Sequence, residues 1–292
     1  MNRRRAAWIF VGPALAVIGV FFFLPVAAAL VLSFTDFDIY ALASLANLRF
    51  VGLRNYVELL QRSEFWNALG NTLYFVLAGV PLSIGASLGT ALLLDARAAR
   101  FKAFFRTALF APVVTTLVAA AIVWRYLFST RYGWLNYALG AFGLPAIDWL
   151  GDPHFSMPAI IVFAVWKNFG YNMVILLAGL QAIPEELYEA ARIDGASAWR
   201  RFLHVTLPML APMLSMVAIL TVAGYFQLFA EPYVMTQGGP LQSTVSVLYL
   251  MYEEGFKWWN LGSASAVAFV LFALMFVVTG AQISLARRRG PR

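Results

Sequence analysis

The chain has 292 residues, of which 62% are hydrophobic and 12% charged, with a mean hydropathy of +0.76 and a net charge of +7. Soluble domains are about 45–50% apolar and about 25% charged, so this chain has too little polar surface to cover a globule in water and reads as a membrane protein. Zero Cys excludes disulfides, thiolate metal sites and a Cys nucleophile, and the two histidines, His154 and His204, are too few for a His-based zinc site or a His-containing triad.

A membrane-spanning helix needs about 20 mostly apolar residues. Stretches lacking Asp, Glu, Lys and Arg run over Ala6–Thr35, Phe65–Leu94, Thr107–Trp124, Phe202–Ala230 and Trp258–Ala286. A further stretch, Pro153–Pro184, is interrupted by His154 and Lys167. The pattern predicts six helices, over Trp8–Ser33, Asn71–Leu94, Thr107–Phe128, Pro158–Gln181, Met209–Ala230 and Ser263–Leu285, in one membrane domain covering residues 1–292. The first follows Arg3, Arg4 and Arg5, as a signal peptide would, but its apolar run is too long and no small-x-small site ends it, so it is expected to be a retained span.

The bases sort to the two sides of these spans. Arg3, Arg4, Arg5, Arg97, Arg100, Lys102, Arg106, Arg192, Arg200, Arg201, Arg287, Arg288, Arg289 and Arg292 fall on one side, and Arg49, Arg54, Arg62, Arg131 and Lys257 on the other. The positive-inside rule then places both termini in the cytoplasm. Topology accounts for the positive charge, and no nucleic acid partner is expected. The outer segments, Phe34–Gly70 and Ser129–Met157, are rich in Trp, Tyr, Gly and Asn and are expected to form short interfacial or periplasmic elements.

The inner loop between the fourth and fifth spans, residues 182–208, has its own architecture. Pro184 is preset for a first helical turn, and Glu185 and Glu186 suit the positive end of the helix dipole. Gly195 supplies a left-handed turn and Ser197 caps a second helix, in which Trp199, Phe202, Leu203 and Thr206 form one stripe. By spacing alone this is a helix, a glycine elbow and an amphipathic helix lying on the inner membrane face, in which Arg192 and Asp194 read equally as solvated charges.

The residue order says more. Glu189-Ala190-Ala191, Asp194-Gly195-Ala196, then Phe202, Val205, Leu207 and Pro208 resemble the EAA loop of permease subunits of ATP-binding-cassette importers. Phe50–Tyr56, Phe65-Trp66 with Ala68–Thr72, Arg106 with Pro112, Gly133–Asn136, Trp149-Leu150, Ala178–Pro184 and Thr236–Pro240 are similar to the carbohydrate-import branch of that family, in particular the maltose and glycerol-3-phosphate type, and to the first of its two paired permeases. The resemblance implies an all-α type I importer fold whose partners are a second permease, two ATPase subunits and a periplasmic or lipid-anchored sugar-binding protein. It also implies that Glu189, Ala190, Ala191, Arg192, Asp194 and Gly195 couple to the ATPase. No cofactor is expected on this chain, because a P-loop needs Gly before its Lys and Lys102, Lys167 and Lys257 follow Phe101, Trp166 and Phe256. ATP and Mg belong to the implied ATPase.

Polar groups on apolar helices mark the expected substrate path. Asn168, Tyr171 and Asn172 share a face of the fourth span, and the fifth offers Thr221, Tyr225 and Gln227 with Phe226 and Phe229 nearby. Amides and rings suit a neutral sugar, though the same groups also suit bonds to a partner's helices. Lys167 sits in the fourth span, where a cation costs roughly 2.5–3.5 kcal/mol. It either snorkels outward or meets Glu231 or an anionic substrate, such as a sugar acid or phosphate ester. Gly238, Gly239 and Pro240 predict a tight turn serving as an outer gate or a docking surface for the binding protein. The rival class, an ion-coupled secondary transporter, wants inverted repeats and a central carboxylate, and neither is visible.

Overall fold

The computed structural model describes residues 3–44, 48–96 and 100–289; Arg97 and Arg292, among the bases assigned to the inner side, lie outside them. Among the described residues there is an isolated bridge between Thr35 and Phe50 but no strand. The helices are α1 (Arg3–Ile18), α2 (Leu24–Leu32), α3 (Ile39–Ala43), α4 (Arg54–Gln61), α5 (Ser63–Asp95), α6 (Lys102–Val114), α7 (Leu117–Leu127), α8 (Trp134–Ala141), α9 (Pro153–Gln181), α10 (Glu185–Ile193), α11 (Ala198–Arg201), α12 (Leu207–Tyr225), α13 (Ala230–Met235), α14 (Val247–Tyr252) and α15 (Leu261–Arg289). Among the described residues, five helical rods are long and apolar enough to cross a bilayer, and α6 with α7 makes a sixth crossing if the bent pair is one span.

The chain divides into two compact units, Met1–Trp66 with Leu250–Ala273 and Asn67–Tyr249 with Leu274–Arg292. In the first, a π turn over Gly19–Phe23 joins α1 to α2. The apolar rod from Phe10 to Leu32 buries none of its length within the chain, so its surface is left for lipid or another protein. The connection that follows is fastened by Asn55, whose amide donates to the carbonyl oxygens of Ser33 and Thr35 at 2.8 Å each. Arg62 pairs with Glu254 at 2.7 Å.

The second unit is built around α9, which starts at Pro153 behind an Asp152 cap that accepts from the His154 N–H at 2.8 Å. That bond holds the Asp152 carboxyl below the ordinary carboxylate range. Met173, Leu176, Leu177 and Leu180 of α9 pack with Ala91 and Leu94 of α5 and Leu210 and Val217 of α12. In lipid, such packing depends on close approach between helices. A Cβ at Gly170 would stand 2.4 Å from the Leu109 carbonyl oxygen of α6, and one at Gly179 would stand 2.8 Å from Leu210.

Two elements differ from the sequence expectation. The third span is not one rod over Thr107–Phe128, because α6 and α7 meet at 100°. Pro112 lacks an N–H, Thr115 and Thr116 are extended, and the freed Pro112 carbonyl accepts from the Thr115 hydroxyl at 2.7 Å. The fifth span, in turn, does not begin at Met209. A single rod runs over Ala198–Tyr225, with a π turn at Phe202–Thr206 just before Pro208, where the wider ring pattern accommodates the missing proline N–H. The amphipathic helix expected to lie on the membrane face is therefore the first part of this rod.

Candidate functional site

A cavity of about 480 Å³ lies in the second unit, lined from α5, α6, α7, α9, α12, α13, α14 and the segment between α12 and α13. Asn168, Tyr171, Asn172, Tyr225 and Gln227 all line it. Helical spacing brings the first three together on one face of α9, and α12 presents Tyr225 against them, with Gln227 just past its end. Their exposure differs. Asn172 is buried and donates to the Thr221 hydroxyl at 2.9 Å, so it ties α9 to α12 as well as facing the cavity. Tyr171 is half exposed. Asn168 and Gln227 are exposed, and their amide nitrogens donate back to Ala164 at 3.0 Å and Ala223 at 3.2 Å, leaving their carbonyl oxygens for a ligand.

Tyr225 is fixed from a direction that the sequence reading did not use. Its ring stacks on Phe75 at 4.9 Å and lies over Gly79, where a Cβ would come within 2.6 Å of it. Its buried hydroxyl lies beside Ser83 and Asn168. Phe75, Gly79 and Ser83 are spaced i, i+4 and i+8 along α5, a stripe that was readable but is masked by the uniform apolarity of that helix. Thr221, Phe229 and Glu231 complete the polar and aromatic lining. Among the described residues, no group of three or more His, Asp or Glu side chains converges on a metal-holding geometry.

Lys167 does not line the cavity. It is 7% exposed, and its ammonium donates to the carbonyl oxygens of Pro112 and Val113 at 2.8 and 3.1 Å, at the broken end of α6. Snorkelling to a membrane face is thereby replaced by capping of a helix C-terminus, where a cation also meets the favourable end of the dipole.

The 182–208 loop carries the six residues of the coupling prediction on or beside α10. Glu189, Ala190, Arg192 and Asp194 are exposed, Ala191 is half-buried, and Gly195 stands at φ +74°. The turn closes through Ala196 N–H to Ala191 O at 2.9 Å and Gly195 N–H to Arg192 O at 3.1 Å, a Schellman pattern that needs the left-handed residue. Arg192 reaches back to Glu185 at 3.0 Å, across exposed surface. Tyr188 bonds the Thr206 hydroxyl at 2.9 Å and joins the α5–α9–α12 core, so α10 is fastened to the base of the α12 rod. Ile193 and Trp199 stay 87% and 66% exposed beside the elbow.

Gly238, Gly239 and Pro240 occupy a firmly held turn. Gly238 is buried at φ +82°, and a Cβ there would come within 2.9 Å of Val245. The Thr244 hydroxyl donates to Gly239 O at 2.9 Å and bonds the Thr236 hydroxyl at 2.7 Å. From α5, Asn71 donates to the carbonyl oxygens of Gln242 and Val245 at 2.9 Å each, and Thr72 accepts from the Val247 N–H at 3.0 Å. Leu241 projects from the tip, 89% exposed.

Residues 96–290 match the family described as binding-protein-dependent transport system inner membrane component. The chain is 37% identical to the lactose transport system permease protein LacF of Rhizobium radiobacter, over 97% of this chain and 94% of that one. It is 34% identical to the sn-glycerol-3-phosphate transport system permease protein UgpA of Agrobacterium fabrum, over 97% and 94%. A crystal structure of a bacterial ABC transporter that imports the acidic polysaccharide alginate matches the fold with a TM-score of 0.82 at 21% identity, over 98% of this chain and 96% of that one.

Proposed function

The chain belongs to the family of binding-protein-dependent transport system inner membrane components, and from that membership we propose that it is one of two paired permeases of an ATP-driven sugar importer. It is a multi-pass inner-membrane ABC permease of the type I fold. The observation that carries the substrate assignment is the convergence of amides and rings from α9 and α12 on one cavity. Amides donate to and accept from sugar hydroxyls, and rings stack on sugar C–H faces. The names of the relatives favour this reading over an ion-coupled carrier.

The energy enters from outside the chain, through two copies of an ATPase that hold ATP and Mg. Both termini and the 182–208 loop face the cytoplasm, and α10 seats against the ATPase through Glu189, Ala190, Ala191, Arg192 and Asp194, with Gly195 as the elbow. The exposed Ile193 and Trp199 suit burial in such a contact. The loop joins the two helices that wall the cavity, so a push on α10 reaches both walls through the Tyr188–Thr206 bond and the shared core. On the outer side, the Gly238–Pro240 turn receives the sugar-binding protein or gates its delivery. The test is reconstitution in liposomes with the second permease, the ATPases and the binding protein. Sugar uptake is expected to require both ATP and the binding protein. Uphill uptake by this chain alone, driven by an ion gradient, would overturn the proposal.

A further inference from the structure

Among the described residues, Glu231 is the one carboxyl group that lines the cavity, and no Lys or Arg lines it. The cation that could offset an anion there is already engaged elsewhere. The Lys167 ammonium is spent on the Pro112 and Val113 carbonyl oxygens at 2.8 and 3.1 Å, and Glu231 lies within electrostatic reach of what remains of its field. Glu231 itself stands in the first turn of α13. An anion stripped of water beside a carboxyl group needs a paired cation, and without one its desolvation is not offset. What the cavity does offer is uncharged: the amides of Asn168 and Gln227, the hydroxyls and rings of Tyr171 and Tyr225, and the ring of Phe75.

Resting on the importer reading above, we infer that this cavity takes uncharged saccharides and turns away anionic ones, with Glu231 as the specificity-determining side chain. The distinction divides the relatives themselves, since lactose is neutral whereas glycerol 3-phosphate and alginate are anionic.

The experiment is saturation-transfer NMR on the purified membrane complex of this chain with its second permease and ATPases, the binding protein being left out so that only the membrane path is read. The probes are lactose, maltose, galacturonate and sn-glycerol 3-phosphate. The neutral sugars are expected to give signals about tenfold stronger than either anion, within the range that one unmatched buried polar group imposes. Glu231→Lys is expected to raise the galacturonate signal. Wild-type complex that binds galacturonate or glycerol 3-phosphate as well as the neutral sugars, or that binds no neutral probe, would overturn the inference. ATP-dependent uptake measured on the same complex with binding protein restored separates the two claims. Neutral-selective binding without uptake counts against the importer reading alone, and ATP-driven galacturonate uptake counts against the selectivity alone.

Discussion

Lys167 lies inside a 29-residue apolar helix, yet its ammonium meets two carbonyl acceptors there. A helix broken at Thr115 and Thr116 exposes carbonyl groups that nothing in lipid can satisfy; the Thr115 hydroxyl serves that of Pro112, and the ammonium serves Pro112 and, in addition, Val113. Lys167→Met should therefore lower stability by about 1–3 kcal/mol, the penalty for an orphaned buried acceptor. The thermal midpoint of the detergent-purified complex reads this directly, and an unchanged midpoint would refute the capping role. Gly195 is demanding for a different reason. No atom lies within 4 Å of a Cβ built there, so only the backbone, at φ +74°, resists a side chain. Gly195→Val should strain the elbow by roughly 1–2 kcal/mol while leaving the spans inserted. Stimulated ATP hydrolysis by the co-purified assembly is expected to fall, and a normal rate would show that the elbow does not couple.

At the scale of elements, the cavity depends on how closely α9 approaches its neighbours. Gly170 admits the backbone of α6, with the Leu109 carbonyl oxygen in the place of a side chain. Backbone cannot swing aside as a side chain can, so Gly170→Ala should destabilise by about 1–3 kcal/mol through overpacking. It should also move α6, and with it the cavity-lining Val113. Thermal unfolding checks the first effect, and weakened sugar binding in the same variant checks the second. The aromatic group of Trp124 on α7 with Phe163 and Trp166 on α9, at 5.7 and 5.2 Å, holds the far side of the break. Together with the Lys167 cap, it makes the bend a built feature with contacts on both arms.

For the whole molecule, the sidedness of the proposed mechanism is open to a simple measurement because the chain has no native Cys. Single substitutions Ala190→Cys on α10 and Leu241→Cys at the tip of the Gly238–Pro240 turn are both at exposed positions. A membrane-impermeant maleimide should label Leu241→Cys in intact cells and Ala190→Cys only after the inner face is opened. Labelling of both from one side would overturn the orientation drawn from the bases.

Local order settled a good deal before any coordinates. Uninterrupted apolar runs announced the membrane helices, because hydrocarbon tolerates little else. The i, i+3, i+4 spacing of Asn168, Tyr171 and Asn172 placed them on one face, and Gly195 between two helical patterns announced the elbow. Tertiary structure alone decided which acceptors Lys167 meets, since backbone carbonyls carry no mark in a sequence. The 100° bend was equally hidden, because Thr115 and Thr116 read as ordinary members of an apolar run until a neighbouring helix satisfies the groups that the bend sets free. The contribution of Phe75 and Gly79 arises only where α5 meets Tyr225. Periodicity reports what each helix turns to one side, and only packing of one helix against another reports what that side finds there.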